Sequence, residues 1–195
     1  MSLRGAFHAF SAAVACASFG MAGCSHRASP VVGIDVPLAG PDGARGILAL
    51  QAVRLALDER SSDYSPRLDV RDASGGGFAD PHEDEGAGDW RNPGFAAKNV
   101  RSLASNGSVV AVIGGFNDAI ASAETQAARH ERVPLLLANR TQLWKLNASR
   151  QRRFEGAYRR RYREAPDATA ARYYAIMSRI LDCRAASRDE LAHCL

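Results

Sequence analysis

Short apolar runs alternate with amphipathic stretches between Val31 and Ala138. Val31-Val32-Gly33-Ile34-Asp35-Val36 is a compact, mostly β-branched run and predicts a buried strand. Residues 37–43 carry turn residues at nearly every position and predict a loop. Ile47, Leu48, Leu50, Val53, Leu55, Ala56 and Leu57 recur at helical spacing, predicting a helix over 44–59. Residues 67–71 alternate polar with apolar and predict a second strand. A long loop rich in Gly, Asp and Glu follows over 75–93. Asn92-Pro93 is a start signal for a helix over 96–104. Val109-Val110-Ala111-Val112-Ile113 is the clearest strand, ended by Gly114-Gly115, and an alanine-rich helix follows over 119–130. Val133-Pro134-Leu135-Leu136-Leu137-Ala138 predicts a fourth strand, in which a proline is tolerated only near the start.

Continuous apolar strands separated by helices predict an α/β fold, a parallel four-stranded sheet flanked by helices with right-handed crossovers. The pattern changes after Thr141. Phe154, Tyr158 and Tyr162 fall on one helical face; Tyr173, Met177, Ile180 and Leu181 stripe another. Pro166 separates the two, and no strand is evident beyond Ala138.

The amino-terminal segment has its own pattern. Arg4 precedes an apolar stretch over 6–19, shorter than the about 20 apolar residues a membrane span needs. Met21-Ala22-Gly23-Cys24 closes it. This resembles the bacterial lipobox, with Met21 where that motif usually has Leu. The resemblance implies a signal peptide over 1–23, a lipidated Cys24, a short polar tether over 24–30 and a fold over 31–195. An ordinary secretory signal with an incidental Cys24 is the alternative. Either way the expected location is extracytoplasmic, with a lipid anchor to the membrane on the first reading.

Composition narrows the function classes. A formal net charge of +4 is too mild to imply nucleic acid as a partner. Cys183 and Cys194 either pair as a disulfide, which an oxidising compartment permits, or stand as free thiols on one helical segment. No Cys or His cluster has metal-ligand spacing, so no metal or other cofactor is expected. Arg150, Arg152, Arg153, Arg159, Arg160, Arg161 and Arg163 form a basic run. It reads as the solvated face of an aromatic-backed helix, with contact to anionic lipid headgroups as the alternative. The acidic stretch Asp80, Glu83, Asp84, Glu85, Asp89 lacks EF-hand spacing and reads as a solvated loop.

The ordered motifs resemble type I periplasmic binding proteins, specifically the branched-chain amino-acid (leucine-binding-protein-like) branch of ABC transporter substrate-binding proteins. Val32-Gly33-Ile34 with Pro37-Leu38-Ala39-Gly40 is similar to that family's start. The run from Val109 to Asn117 is similar to its third strand and following loop, and Val133-Pro134 through Thr141 to its fourth strand and ligand loop. Phe154, Tyr158, Tyr162, Pro166-Asp167-Ala168 and Tyr173-Tyr174-Ala175 are similar to its late segment. One departure dominates. Where the family inserts a second α/β lobe, only residues 142–150 stand here, so the resemblance implies a single lobe.

In open parallel sheets ligands lie beyond the carboxyl ends of the strands, near a topological switch point. Three loops qualify: 37–43, 115–119 and 138–141. Two lead into helices, whose free N–H groups and positive dipole end suit a carboxylate. The resemblance places Asp118, Ala119, Asn139, Arg140 and Thr141 at the ligand, with Asn117 beside them. Ala119 lacks the hydroxyl the family places there, and Thr141 matches its hydroxyl donor. Other roles stay open: Gly114-Gly115 as a strand-ending turn, Asn117 and Asp118 as helix caps, and Arg140 as a surface residue.

The expected function is small-solute binding, of an amino acid or a related molecule, in ABC-type uptake with a permease as partner. No nucleophile, base and oxyanion hole assemble, so the expected role is not enzymatic. One lobe supplies one wall, whereas pockets bury about 70–90% of a small ligand. Binding is therefore expected to be weak unless a homo-oligomer or another protein supplies the second wall. The alternatives are a lipid-anchored docking or sensor module that has lost transport function, and a degenerate paralogue.

Overall fold

A computed structural model describes residues 29–60, 64–74, 93–140 and 142–195. The expected signal peptide 1–23, the lipidation site Cys24, the acidic stretch 80–89 and Thr141 lie outside the described residues.

Four strands, β1 (Val31–Val36), β2 (Arg67–Asp72), β3 (Val109–Gly114) and β4 (Leu135–Leu137), form one parallel sheet in the order β2-β1-β3-β4. The α/β expectation therefore holds. Every residue of β1 and β3 is buried, as expected of central strands covered on both faces. β2, with its alternating sequence, is an edge strand and only partly covered. β4 is shorter than its apolar run predicts. Pro134 offers no N–H to the ladder; its carbonyl accepts from Val112 N at 2.8 Å, and strand geometry begins one residue later.

Six helices complete the described fold: α1 (Gly43–Glu59), α2 (Pro93–Ser105), α3 (Asp118–Glu131), α4 (Ala148–Tyr162), α5 (Ala168–Cys183) and α6 (Arg188–Cys194). α1 and α5 cover one face, where Val32, Ile34, Val36 and Ile113 meet Ala49, Val53, Tyr173, Ile176 and Ile180. α2 and α3 cover the other, where Val31, Val109 and Val112 meet Val100, Leu103, Ala127 and Ala128. Gly33 admits the close approach of α2, since a Cβ there would lie 2.9 Å from the Leu103 side chain. α4 packs outside the sheet, burying Phe154 and Tyr158 against Ala52, Leu55 and Ala170. The Tyr158 hydroxyl reaches Gln51 Oε1 at 2.5 Å, so this aromatic face is anchored at its polar tip as well.

Between β4 and α4, Trp144 Nε1 donates back to the Leu137 carbonyl at 2.9 Å. Asn147, Asp167 and Ser187 cap α4, α5 and α6 through their side-chain oxygens. Cys183 and Cys194 are joined as a disulfide with Cα atoms 5.8 Å apart. They lie on two helices rather than on one continuous segment, because the chain reverses at Arg184 (φ 50°) before α6 begins.

Candidate functional site

Because all four strands run parallel, the loops after β1, β3 and β4 leave the same edge of the sheet. From β1 the chain crosses outward to β2 and then back past β1 to β3. The switch point therefore falls between β1 and β3, flanked by residues 37–42 and 115–117.

The β3–α3 turn is built from two glycines and an asparagine. Gly115 adopts φ +73°, a conformation that favours glycine. Asn117 is the N-cap of α3, and its side-chain oxygen accepts from Ile120 N at 3.0 Å. Capping thus falls to Asn117. Asp118 instead faces the neighbouring loop, where its Oδ1 accepts from Asn139 Nδ2 at 2.7 Å. That bond ties the β3 loop to the β4 loop. Ala119 and Arg140 are exposed at the same edge. Five of the six residues expected at a ligand are therefore assembled on one rim, and the sixth, Thr141, is outside the described residues.

Arg45 joins this rim from the first turn of α1. Its guanidinium carbon stands 5.3 Å from the centre of the Phe116 ring, across the switch point. The same side chain reaches Thr169 Oγ1 at 2.9 Å and Asp167 Oδ2 at 3.3 Å, at the start of α5. The signal for Arg45 was its position just past the first loop, in the opening turn of the helix that starts beside the strand ends.

Beneath the rim lies a polar network that the sequence reading did not single out. Asp35 on β1 and Glu124 on α3 are both 0% exposed. Asn99 Nδ2 donates to Asp35 Oδ1 at 2.8 Å and to the Asp72 carbonyl at 3.0 Å. Asp72 Oδ1 accepts from Leu38 N at 2.8 Å, fixing the start of the β1 loop, and from Ser74 N at 2.9 Å. Glu124 Oε2 accepts from Gly115 N at 2.6 Å. Burial, opposed by the Asn99 bond, pushes the Asp35 carboxyl up to about 6. Burial and the adjacent Asp35 hold the Glu124 carboxyl well above the usual range. An acid inside the otherwise apolar β1 run was the available clue to Asp35. For Glu124 it was a position in phase with Ile120, Ala121, Ala127 and Ala128 on the buried face of α3.

Asp118, Ala119 and Arg140 are exposed on this rim. A hollow of about 980 Å³ that includes Trp144, Arg150, Arg153, Tyr174 and Arg179 lies away from it. In the basic run, Arg159 faces Glu155 at 3.8 Å and Arg161 faces Asp58 at 3.4 Å, on a helix whose other side is buried. Among the described residues no group of three or more His, Cys, Asp or Glu is arranged to hold a metal ion. No described helix is long and apolar enough to cross a membrane.

No family model matches the chain, and no curated protein does. Two solved structures are similar in part. One is an ABC transporter substrate-binding protein from Sphaerobacter thermophilus, 20% identical, matched over 56% of this chain and 26% of its own with a TM-score of 0.44. The other is a substrate-binding periplasmic protein from Ralstonia solanacearum, 20% identical, matched over 55% of this chain and 28% of its own with a TM-score of 0.43. The matches thus span little more than a quarter of either protein.

Proposed function

We propose that the chain is an extracytoplasmic solute-binding lipoprotein of the ABC-uptake type, corresponding to one lobe of a type I periplasmic binding protein and binding an amino acid or a related small molecule. The observation that carries this reading is the gathering of the β1, β3 and β4 loops on one edge of a parallel sheet, with Asp118 and Asn139 hydrogen-bonded across two of them. The ordered resemblance of the motifs from Val32 to Tyr174 supports it further. Asn117, Asp118, Ala119, Asn139, Arg140 and Thr141 form the ligand side, and Arg45 adds a cation at the switch point for a carboxylate.

The role is binding rather than catalysis, and membrane attachment is through lipid on Cys24. A single open wall leaves one side of the solute in water, which predicts weak affinity for the monomer. Each tenfold loss corresponds to about 1.4 kcal/mol. A permease or a second copy of the chain would supply the opposite wall.

A thermal-shift screen of the folded protein against the amino acids tests this reading, because a ligand that binds the native state raises the melting temperature. A concentration-dependent rise with at least one amino acid is expected. A cooperative melt that no amino acid shifts, even at millimolar concentration, overturns it in favour of a docking module.

A further inference from the structure

Asp35 and Glu124 lie face to face beneath the rim, and between them they carry four oxygens. Asp35 Oδ1 is taken by Asn99 and Glu124 Oε2 by Gly115 N. The remaining two, Asp35 Oδ2 and Glu124 Oε1, find no hydrogen-bond partner among the described residues. Pairing of Ile34 with Ile113 sets Asp35 next to Gly114, the residue whose missing Cβ leaves room for Glu124 Oε1. An ionised carboxylate only accepts, so two such oxygens can satisfy each other only with a proton on one of them. A single proton between Oε1 and Oδ2 completes both groups at once. Two bare carboxylates in this dry site would instead repel strongly.

We propose that Asp35 and Glu124 hold one proton between them at neutral pH, carried on Glu124 Oε1 and donated to Asp35 Oδ2, and that this proton makes them positioning residues for the rim loop at Gly115. Glu124 is the carrier for two reasons. Aspartic acid is intrinsically the stronger acid, and Asn99 already donates to the Asp35 carboxylate.

The surroundings are built around the pair. A Cβ on Gly114 would lie 2.3 Å from Glu124 Oε1, so only glycine leaves room for the carboxyl. Gly115 turns its N–H onto the other oxygen. From β2, the charge of Asp72 adds to the upward pressure on Asp35. From α5, the buried Tyr173 hydroxyl is held neutral by burial and by both carboxyls. Loss of the shared proton leaves Glu124 charged against Asp35, and the outward movement that follows takes away the acceptor for Gly115 N. The same network reaches the β1 loop through Asn99, Asp72 and Leu38, so both walls of the switch point feel the change. That this alters solute binding rests on the proposed function; the proton itself does not.

The test uses infrared spectroscopy and amide hydrogen exchange on the full protein. The wild type at pH 7 should show the carbonyl stretch of a neutral carboxylic acid. Glu124→Gln should lack it while keeping the fold, because its amide both accepts from Gly115 N and donates to Asp35. Asp35→Asn should also lack it, since the amide introduced on β1 then donates to an ionised Glu124. Once Glu124 begins to ionise, opening at the Gly115 amide should grow about tenfold per pH unit in the wild type, after correction for intrinsic exchange, and stay flat in Glu124→Gln. A wild type without the neutral-acid band at pH 7, or a band that survives in Glu124→Gln, overturns the proposal. If a variant fails to fold, the wild-type band alone decides. A band that behaves as described in a protein that binds no solute sustains the proton pair and overturns only the reading of the rim.

Discussion

The two edges of the sheet handle buried polar groups in opposite ways. At the amino edge, Arg188 at the start of α6 donates to the carbonyls of Ala104, Val109, Asn106 and Glu131 at 2.6, 2.9, 3.3 and 3.4 Å. One cation thus closes the carboxyl-terminal ends of α2 and α3, where helix dipoles favour positive charge, together with a β3 carbonyl. The disulfide then holds α6 to α5. At the carboxyl edge, two carboxyl oxygens lack donors and two loops hang from the network that contains them. A satisfied edge is a clamp. An edge that needs one mobile proton is adjustable, and it is the edge on which the expected ligand residues stand.

This contrast can be broken at several points. Arg188→Met should have the largest effect. It strands several carbonyls at once, so stability in a urea titration should fall by about 4 kcal/mol. A change below about 1 kcal/mol would remove the clamp from the account. Reducing the Cys183–Cys194 bond, or replacing both with serine, opens a loop of 11 residues' separation and should cost about 3 kcal/mol in the same titration.

The carboxyl edge should answer to pH instead. Native Asp35 and Glu124 hold protons that the unfolded chain releases near pH 4, so the native state binds more protons and stability falls as pH rises. The loss should run from about pH 4 through about 6 as the pair gives up its first proton, and continue at higher pH as it gives up the second. Urea midpoints across pH 4–9 measure it. The slope should flatten in Glu124→Gln and persist in Arg188→Met. The smallest expected effect is a gain. Arg132 closes α3 at φ 52°, where glycine is unstrained, so Arg132→Gly should raise stability by about 1 kcal/mol.

Much of the fold could be read from periodicity. The Val109 to Ile113 run marks a strand without ambiguity because β-branched residues buried on both faces leave no polar position to explain. The helices of the first half are equally legible, each within a few residues of its end. α4 begins at Ala148, well before Phe154, because its first turns are polar and carry no apolar stripe. At the rim, the positions of the strand ends were legible, and so were the residues beside them. The division of labour between Asn117 and Asp118 was not, because cap and cross-loop partner differ only in side-chain direction. Asp35 and Glu124 escaped for a deeper reason. They are 89 residues apart in sequence, and nothing but the crossing of α3 over β3 brings them together.

The central claim is that the carboxyl edge, not the clamped amino edge, receives a small solute. Amide chemical-shift mapping of the isotope-labelled protein, titrated with the amino acid that gives the largest thermal shift, tests it most directly. The account predicts saturable shifts at Gly115, Phe116, Asp118, Ala119, Asn139 and Arg140, with Ala104, Asn106 and Arg188 unmoved. Shifts centred on Arg188 and α6, or no saturable shift with any amino acid, would contradict it.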